Sequence, residues 1–248
     1  VPARGGRHPA GGGPVRAAGN VGAPVDTAGV AHSEPARRDP VTVEDLDRAA
    51  EGVLAVLAAA TDREWREVRA AGLDWTCHAT AEHVADDLFF SAVTLAGRSH
   101  EQLACWLRAE DGATAAQLVE VIRASAALLT AAFRTAPPGA RGACADGRAD
   151  AEGLLAVGVA ELVLHGYDLA LGLGLDYRAP VDVARRLLGR LSPQIPEGGW
   201  SVDSWHVLLW STGRADIPGV DAVGRWQWQI EPLDEPRPDL APVVTRAR

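Results

Sequence analysis

The stretch Glu161-Leu162-Val163-Leu164-His165-Gly166-Tyr167-Asp168-Leu169-Ala170 decides how the rest of the chain is read. It lies late in an apolar run that predicts one long helix, from about Ala151 to Leu173. Glu161 and His165 are four apart, so on a helix they share a face one turn from each other. The residues between them are all apolar. A carboxylate and an imidazole in such surroundings must be paired, hydrogen-bonded or bound to a metal, because burying either alone is costly. Together they can grip one divalent cation from one side, and they lack a third ligand. His83 is the candidate. The spacing leaves a second reading open, since Glu and His four apart also decorate solvated helices. A lone His beside an apolar face is also often just a hydrogen-bonded core residue.

Working outward, the chain reads as helices joined by polar loops. Thr42 and Asp45 resemble a capping box before an apolar stripe of Leu46, Ala50, Val53, Leu54 and Leu57 that ends near Ala60. A polar segment with Trp65 follows, to Gly72. Thr80 is a good N-cap, which predicts a second helix to about Leu95 with Glu82 and His83 in its first turn. Glu101 to Arg108 is expected to form a short helix containing Trp106. Thr114 is expected to cap a third long helix to about Arg134, with Leu118, Val121, Ile122, Leu128, Leu129 and Phe133 inward. The loop to Asp150 reads as Gly-rich and irregular, and Asp150 caps the fourth helix. A fifth spans about Val181 to Leu191. Asp203 to Gly213 reads as a short amphipathic helix, and Arg225 to Ile230 alternates Trp226, Trp228 and Ile230 as one short strand.

The expected fold is therefore mainly α: a four-helix bundle over residues 41–192, with a small C-terminal α/β extension over 193–248 packing on it. Residues 1–40 hold Gly, Pro, Ala and Arg with few large apolar residues, and are expected to be a disordered extension. Bundles place metal sites in the core from side chains on facing helices, which is what the opening motif requires.

Composition narrows the function. The chain has 248 residues and is 47% hydrophobic, enough for a sizeable core. Its net charge of −9 argues against a general nucleic-acid binder and against docking on an anionic membrane. Cys77, Cys105 and Cys144 are widely spaced and form no C-x-x-C pair, which argues against a disulfide framework and points to a reducing cytoplasm. No apolar run is expected to reach the ~18 residues of a membrane span. Heavy use of Ala, Arg and Gly accords with a GC-rich bacterial genome. No P-loop, dinucleotide fingerprint or H-E-x-x-H occurs.

If His83 meets Glu161 and His165, two imidazoles and a carboxylate form a familiar catalytic zinc set with the fourth position open, although nickel and iron accept the same donors. Asp87, one turn beyond His83, and Asp168, three beyond His165, are candidates to orient the imidazoles from behind, or else are surface charges. Arg214, after Gly213 at a helix end, can complement the helix dipole or bind a substrate carboxylate. Cys77 with His78 is a weaker nucleophile–base pair.

The pattern Trp75-Thr76-x-x-x-Thr80-Ala81-Glu82-His83-Val84-Ala85, with Glu161-x-x-x-His165-Gly166-Tyr167-Asp168-Leu169-Ala170, resembles the mycothiol-dependent maleylpyruvate isomerase family, within the DinB-like metal-binding four-helix bundles. Leu208 to Arg214 resembles a later segment of these proteins. The resemblance covers about Val41 to Ile230. It implies His83, Glu161 and His165 as ligands of a divalent metal, usually zinc, with the thiolate of mycothiol taking the open position. It implies a small electrophilic substrate, processed by thiol-assisted cis-trans isomerisation or by S-transfer, and leaves open a thiol-binding role for Arg214. The expected partners are this thiol and electrophile, in a monomer or homodimer. The family's usual Trp-Asp appears here as Tyr167-Asp168, and residues 193–248 stand where described isomerases carry a separate C-terminal domain. Two alternatives accompany this reading: a non-catalytic metal-binding or regulatory protein on the same bundle, and a metal-dependent hydrolase.

Overall fold

A computed structural model describes residues 38–145, 147–223 and 227–235. The expected N-terminal extension lies, for residues 1–37, outside the described residues. Arg38 is held to the fold by two hydrogen bonds to the Glu152 carboxylate, at 2.7 and 2.6 Å.

The chain is mainly helical. Four long helices, α1 (Val43–Ala58), α2 (Cys77–Gly97), α3 (Ala115–Thr135) and α4 (Ala151–Gly172), pack in a ring in which α2 lies between α3 and α4 and α1 closes against the same two. Of the four, α4 is the most buried. Its apolar residues run all round it, and Leu154, Leu155, Val159, Leu162, Val163 and Leu164 are all buried. This explains one departure from expectation. α3 and α4 are each long and apolar enough to cross a membrane by length and composition, but most of the apolar window of α4 is buried inside the protein.

The helix starts follow their side chains. Asp45 accepts the Thr42 N–H at 3.1 Å, Gln117 accepts that of Thr114 at 2.8 Å, and Asp150 accepts from Gly153 N–H at 2.6 Å. α2 begins one turn earlier than expected. Thr76 is its N-cap, its hydroxyl accepting from Ala79 N–H at 3.2 Å, while Thr80 is buried inside the helix and donates to the Thr76 carbonyl. His83 therefore sits in the second turn. The preceding segment satisfies the orphan donors of this helix end: Cys77 N–H donates to Val68 O at 2.7 Å and His78 N–H to Trp65 O at 2.9 Å. Trp65, expected in a polar stretch, is buried, and its indole N–H donates to Ala60 O.

Three further expectations fail for identifiable reasons. Residues 101–110 form no helix. Leu103, Cys105, Leu107 and Ala109 turn inward alternately, and the Leu107 and Ala109 N–H groups donate to the carboxylates of Asp86 and Glu82 on α2 at 2.6 and 2.8 Å. The loop before α4 holds an antiparallel hairpin, β1 (Arg141–Cys144) with β2 (Gly147–Asp150), and its sequence signal is Asp146-Gly147. The strand expected at 225–230 is absent over 227–230, while Arg225 and Trp226 lie outside the described residues. The backbone there is already engaged: Gln229 N–H donates to Leu191 O at 2.8 Å, and the buried Arg190 guanidinium donates to the carbonyls of Gln229, Ile230 and Glu231. The C-terminal segment thus carries a helix but no strand among the described residues. Leu128, expected inward, is 43% exposed on α3.

α5 (Val181–Leu191) and α6 (Ser204–Ser211) pack on each other, and α5 also packs on α4. Trp205, Val207, Leu208, Leu209 and Trp210 join the same apolar core as the four long helices. The end of α4 docks on the turn before α2. A Cβ at Gly172 would lie 2.4 Å from the Arg69 carbonyl oxygen, and Ala71 N–H donates to Asp168 O at 2.9 Å. Gly172→Ala is therefore expected to cost about 1–3 kcal/mol by overpacking against backbone that has little room to shift. Urea unfolding reads this out, and an unchanged or raised midpoint contradicts the packing described.

Candidate metal centre

α2 and α4 each present a pair of polar side chains one turn apart, His83 with Asp87 and Glu161 with His165. Because the two helices pack together, the pairs meet. One ligand atom from each of His83, Glu161 and His165 lies within 4.8 Å of the others. Glu161 Oε2 is 3.1 Å from His165 Nε2 and 3.7 Å from His83 Nε2. Donor atoms at the corners of a tetrahedron with metal bonds of about 2.0–2.1 Å stand about 3.3–3.4 Å apart. The two observed separations bracket that value, and the third pair lies within 4.8 Å, so the three donors are close enough to share one cation. The group can hold a metal ion, as the spacing of Glu161 and His165 suggested. The third ligand, which spacing alone did not supply, comes from α2.

Each side chain has a distinct setting. Glu161 and His165 are buried at the floor of the site, while the side chains of His83 and Asp87 are 22% and 27% exposed and form its solvent side. The His83 ring packs edge-on against His165, with centroids 5.1 Å apart, and against Trp75 at 5.0 Å. Trp75, directly before the cap of α2, is a wall of the site that no ligand pattern in the sequence identifies. Its one signal there is its place in the Trp75-Thr76 motif.

Behind the floor runs a polar relay. His165 Nδ1 is 2.9 Å from Asp168 Oδ2. A carboxylate accepts, so Nδ1 keeps its proton and Nε2 is the nitrogen turned to the site. Asp168, itself buried, is gripped from the far side by Arg214, whose Nε donates to Oδ1 at 2.9 Å and whose Nη2 donates to Oδ2 at 2.8 Å. Asp168 thus stands at the ring nitrogen of His165 that faces away from Glu161. Arg214 reaches His165 through Asp168, and its guanidinium is engaged there. Asp87 differs from expectation. Its Oδ2 is 3.2 Å from His83 Nε2, the site-facing nitrogen, so it stands beside the site and not behind the imidazole.

The electrostatics follow from this crowding. Burial opposes ionisation of Glu161, yet hydrogen bonds from His165 and His83 outweigh it and hold the carboxyl well below its ordinary range. Burial likewise opposes charging of His165, but Asp168 and Glu161 on its two nitrogens raise it to about 9. His83 is raised for similar reasons: burial works against it, and the Glu161 hydrogen bond and the Asp87 charge prevail. Burial and the neighbouring Glu161 charge push Asp87 up to about 7. The metal-free site at neutral pH is thus a carboxylate clasped by protonated imidazole, and a metal must displace those protons.

The other sequence candidates separate cleanly. Cys77 is buried, and burial raises its thiol to about 11, which disfavours the thiolate. His78 Nε2 lies 3.2 Å from Ala113 O. His206 Nε2 meets Asp216 O at 2.9 Å.

No protein-family model matches the chain, and neither a curated protein nor a solved structure matches it.

Two outcomes follow. His165 is raised from its ordinary 6.5 to about 9, so its stabilising contribution is complete below pH 6.5 and is lost as pH rises through 9; Asp87, raised from 3.8 to about 7, acts with the same sign but in a lower window, from pH 3.8 to 7. In chelator, the urea midpoint is expected to fall between pH 6.5 and 9, and a midpoint that holds or rises across this window contradicts the protonated cluster. Arg214→Ala frees Asp168 and is expected to lower metal affinity roughly 10–100-fold, as loss of an outer partner of a liganding imidazole does. Competition with a chelating dye measures it, and wild-type affinity would show that Arg214 does not act through His165.

Proposed function

We propose that the chain is a metal-dependent enzyme of the DinB-like four-helix bundle class, related to the mycothiol-dependent maleylpyruvate isomerases. In this reading zinc is held by His83, Glu161 and His165, and mycothiol is the thiol cofactor. The observation that carries the proposal is the convergence of these three donors from α2 and α4 at distances suited to one tetrahedral cation. The motif resemblance around Trp75 to Ala85 and Glu161 to Ala170 supports the same assignment.

When bound, the cation supplies the Lewis acidity that keeps a thiol ionised at neutral pH. The protein's own groups do the rest. Glu161 and the two imidazoles fix the floor, and Asp168 with Arg214 holds the His165 ring in one tautomer and orientation. The partly exposed side formed by His83, Asp87 and Trp75 is where a small thiol and electrophile reach the floor. Cys77 is disfavoured as a nucleophile, because its thiol is buried and shifted away from ionisation.

The reaction is a conjugate addition and its reversal. The thiolate sulfur donates an electron pair to one carbon of an activated double bond, and the π pair moves onto the conjugated carbonyl oxygen. Rotation about the resulting single bond follows, and return of the electrons restores the double bond and expels the thiolate. Without expulsion, protonation of the adduct completes an S-transfer. A reducing cytoplasm, which keeps the thiol free, is the compartment this chemistry fits.

The test is metal analysis and turnover together. Wild-type protein is expected to hold about one zinc per chain, as a structural or catalytic site of this donor set does. His83→Ala and His165→Ala are expected to lose it, and mycothiol-dependent loss of a maleyl-type electrophile should disappear with it. Stoichiometric metal in both variants sinks the site. Full metal in the wild type without thiol-dependent turnover of any electrophile in a broad panel favours the non-catalytic alternative, and turnover that persists in thiol-free buffer favours the hydrolase.

A further inference from the structure

The position of Asp87 carries a second conclusion about the centre. A carboxylate that orients a metal-bound imidazole does so through the ring nitrogen that does not face the metal, as Asp168 does at His165 Nδ1. Asp87 does not. Its Oδ2 stands 3.2 Å from His83 Nε2, the nitrogen that also faces Glu161 Oε2 at 3.7 Å. A separation of about 3.3–3.4 Å is what two donors bound to the same tetrahedral cation show. At 3.2 Å the Asp87–His83 contact is an ion-pair distance that also lies close to this separation.

The helices support the same view. α2 offers His83 and Asp87 four residues apart, and α4 offers Glu161 and His165 four residues apart. Two facing helices each bring one imidazole and one carboxylate on adjacent turns, the type of arrangement by which bundles build core metal sites. Three of the four converge fully. Asp87 makes its contact at His83 and stays outside the set of mutually close donors, with its side chain 27% exposed beside the 22% of His83. The three converged donors leave one position of a four-coordinate centre uncommitted, and Asp87 lies on the solvent side.

We propose that Asp87 is a fourth, displaceable protein ligand: its carboxylate swings in to close the cation's coordination in the resting protein and withdraws when an incoming anionic sulfur or oxygen donor takes the place. This rests on the reading of His83, Glu161 and His165 as metal ligands. It makes the resting centre a set of two imidazoles and two carboxylates, all borderline-to-hard donors, and gives the site a built-in competitor for its thiol. Asp86, the next residue back, has no such role, because its carboxylate accepts the Leu107 N–H at 2.6 Å.

Cobalt(II) tests the proposal, since its visible bands report ligand number and type without any turnover. Apoprotein is titrated with cobalt(II) against a competing chelator for wild type, Asp87→Asn, Asp87→Ala and, as a charge control, Asp86→Asn. Circular dichroism confirms that each variant is folded. The expected result is a roughly 10–100-fold loss of affinity with altered visible bands in both Asp87 variants, and wild-type behaviour in Asp86→Asn. Mycothiol should then produce a sulfur-to-cobalt charge-transfer band at lower concentration in Asp87→Asn than in wild type, because no carboxylate has to leave. Unchanged affinity and spectrum in both Asp87 variants overturn the fourth ligand while leaving the three-residue site standing. An equal loss in Asp86→Asn overturns it in favour of a general field effect. Failure of the wild type itself to bind cobalt overturns the metal centre and this inference together.

Discussion

The buried charge of Glu161 is the constraint on which the structure turns. A carboxylate at the middle of α4, the most buried of the four long helices, is held there only if its partners are fixed, because leaving it unpaired costs several kcal/mol. His165, one turn along, supplies one partner at 3.1 Å and is itself locked by Asp168. The second partner has to come from another helix, and that requirement couples the register of α2 to that of α4. The turn before α2 carries this coupling. Its carbonyls take the first N–H groups of α2, and its Ala71 N–H is tied to Asp168 O on α4. The segment that starts the helix of His83 is thus anchored to the helix of Glu161 and His165.

Much of this is legible in the residues, and the limits of legibility have physical causes. Helices whose starts are written in side-chain chemistry, at Thr42, Thr114, Asp150 and Asp203, begin where the sequence places them. The start of α2 differs from its expected place because two threonines four apart both suit a cap. The choice falls to Thr76 through backbone contacts with Val68 and Trp65 that no local pattern reveals. Residues 101–110 and 227–230 depart from expectation for a related reason. Their backbone groups are claimed by distant side chains, by Asp86 and Glu82 in one case and by Arg190 in the other.

The site divides along the same line. The Glu161–His165 pair and the Asp168 behind it lie within one helix, so spacing alone brings them together. His83, Asp87 and Arg214 come from other elements, and only packing shows what each faces. That is why the two aspartates, equivalent candidates by spacing, have different places: Asp168 at the outer nitrogen of His165, Asp87 at the inner nitrogen of His83. It is also why Arg214, free in sequence terms to meet a substrate, is found holding Asp168. The pKa shifts express one balance throughout: a buried carboxylate holds the pKa of both imidazoles up, and they hold its own down, so a metal entering the site competes with protons.

The central claim is that one divalent cation belongs between these two helices. A crystal of zinc-loaded protein, measured on both sides of the zinc absorption edge, locates the metal without reference to activity or to any relative. A single anomalous peak is expected about 2.0–2.2 Å from His83 Nε2, His165 Nε2 and a Glu161 oxygen. A zinc-loaded crystal with no peak there, or with its peak on other residues, would contradict the claim.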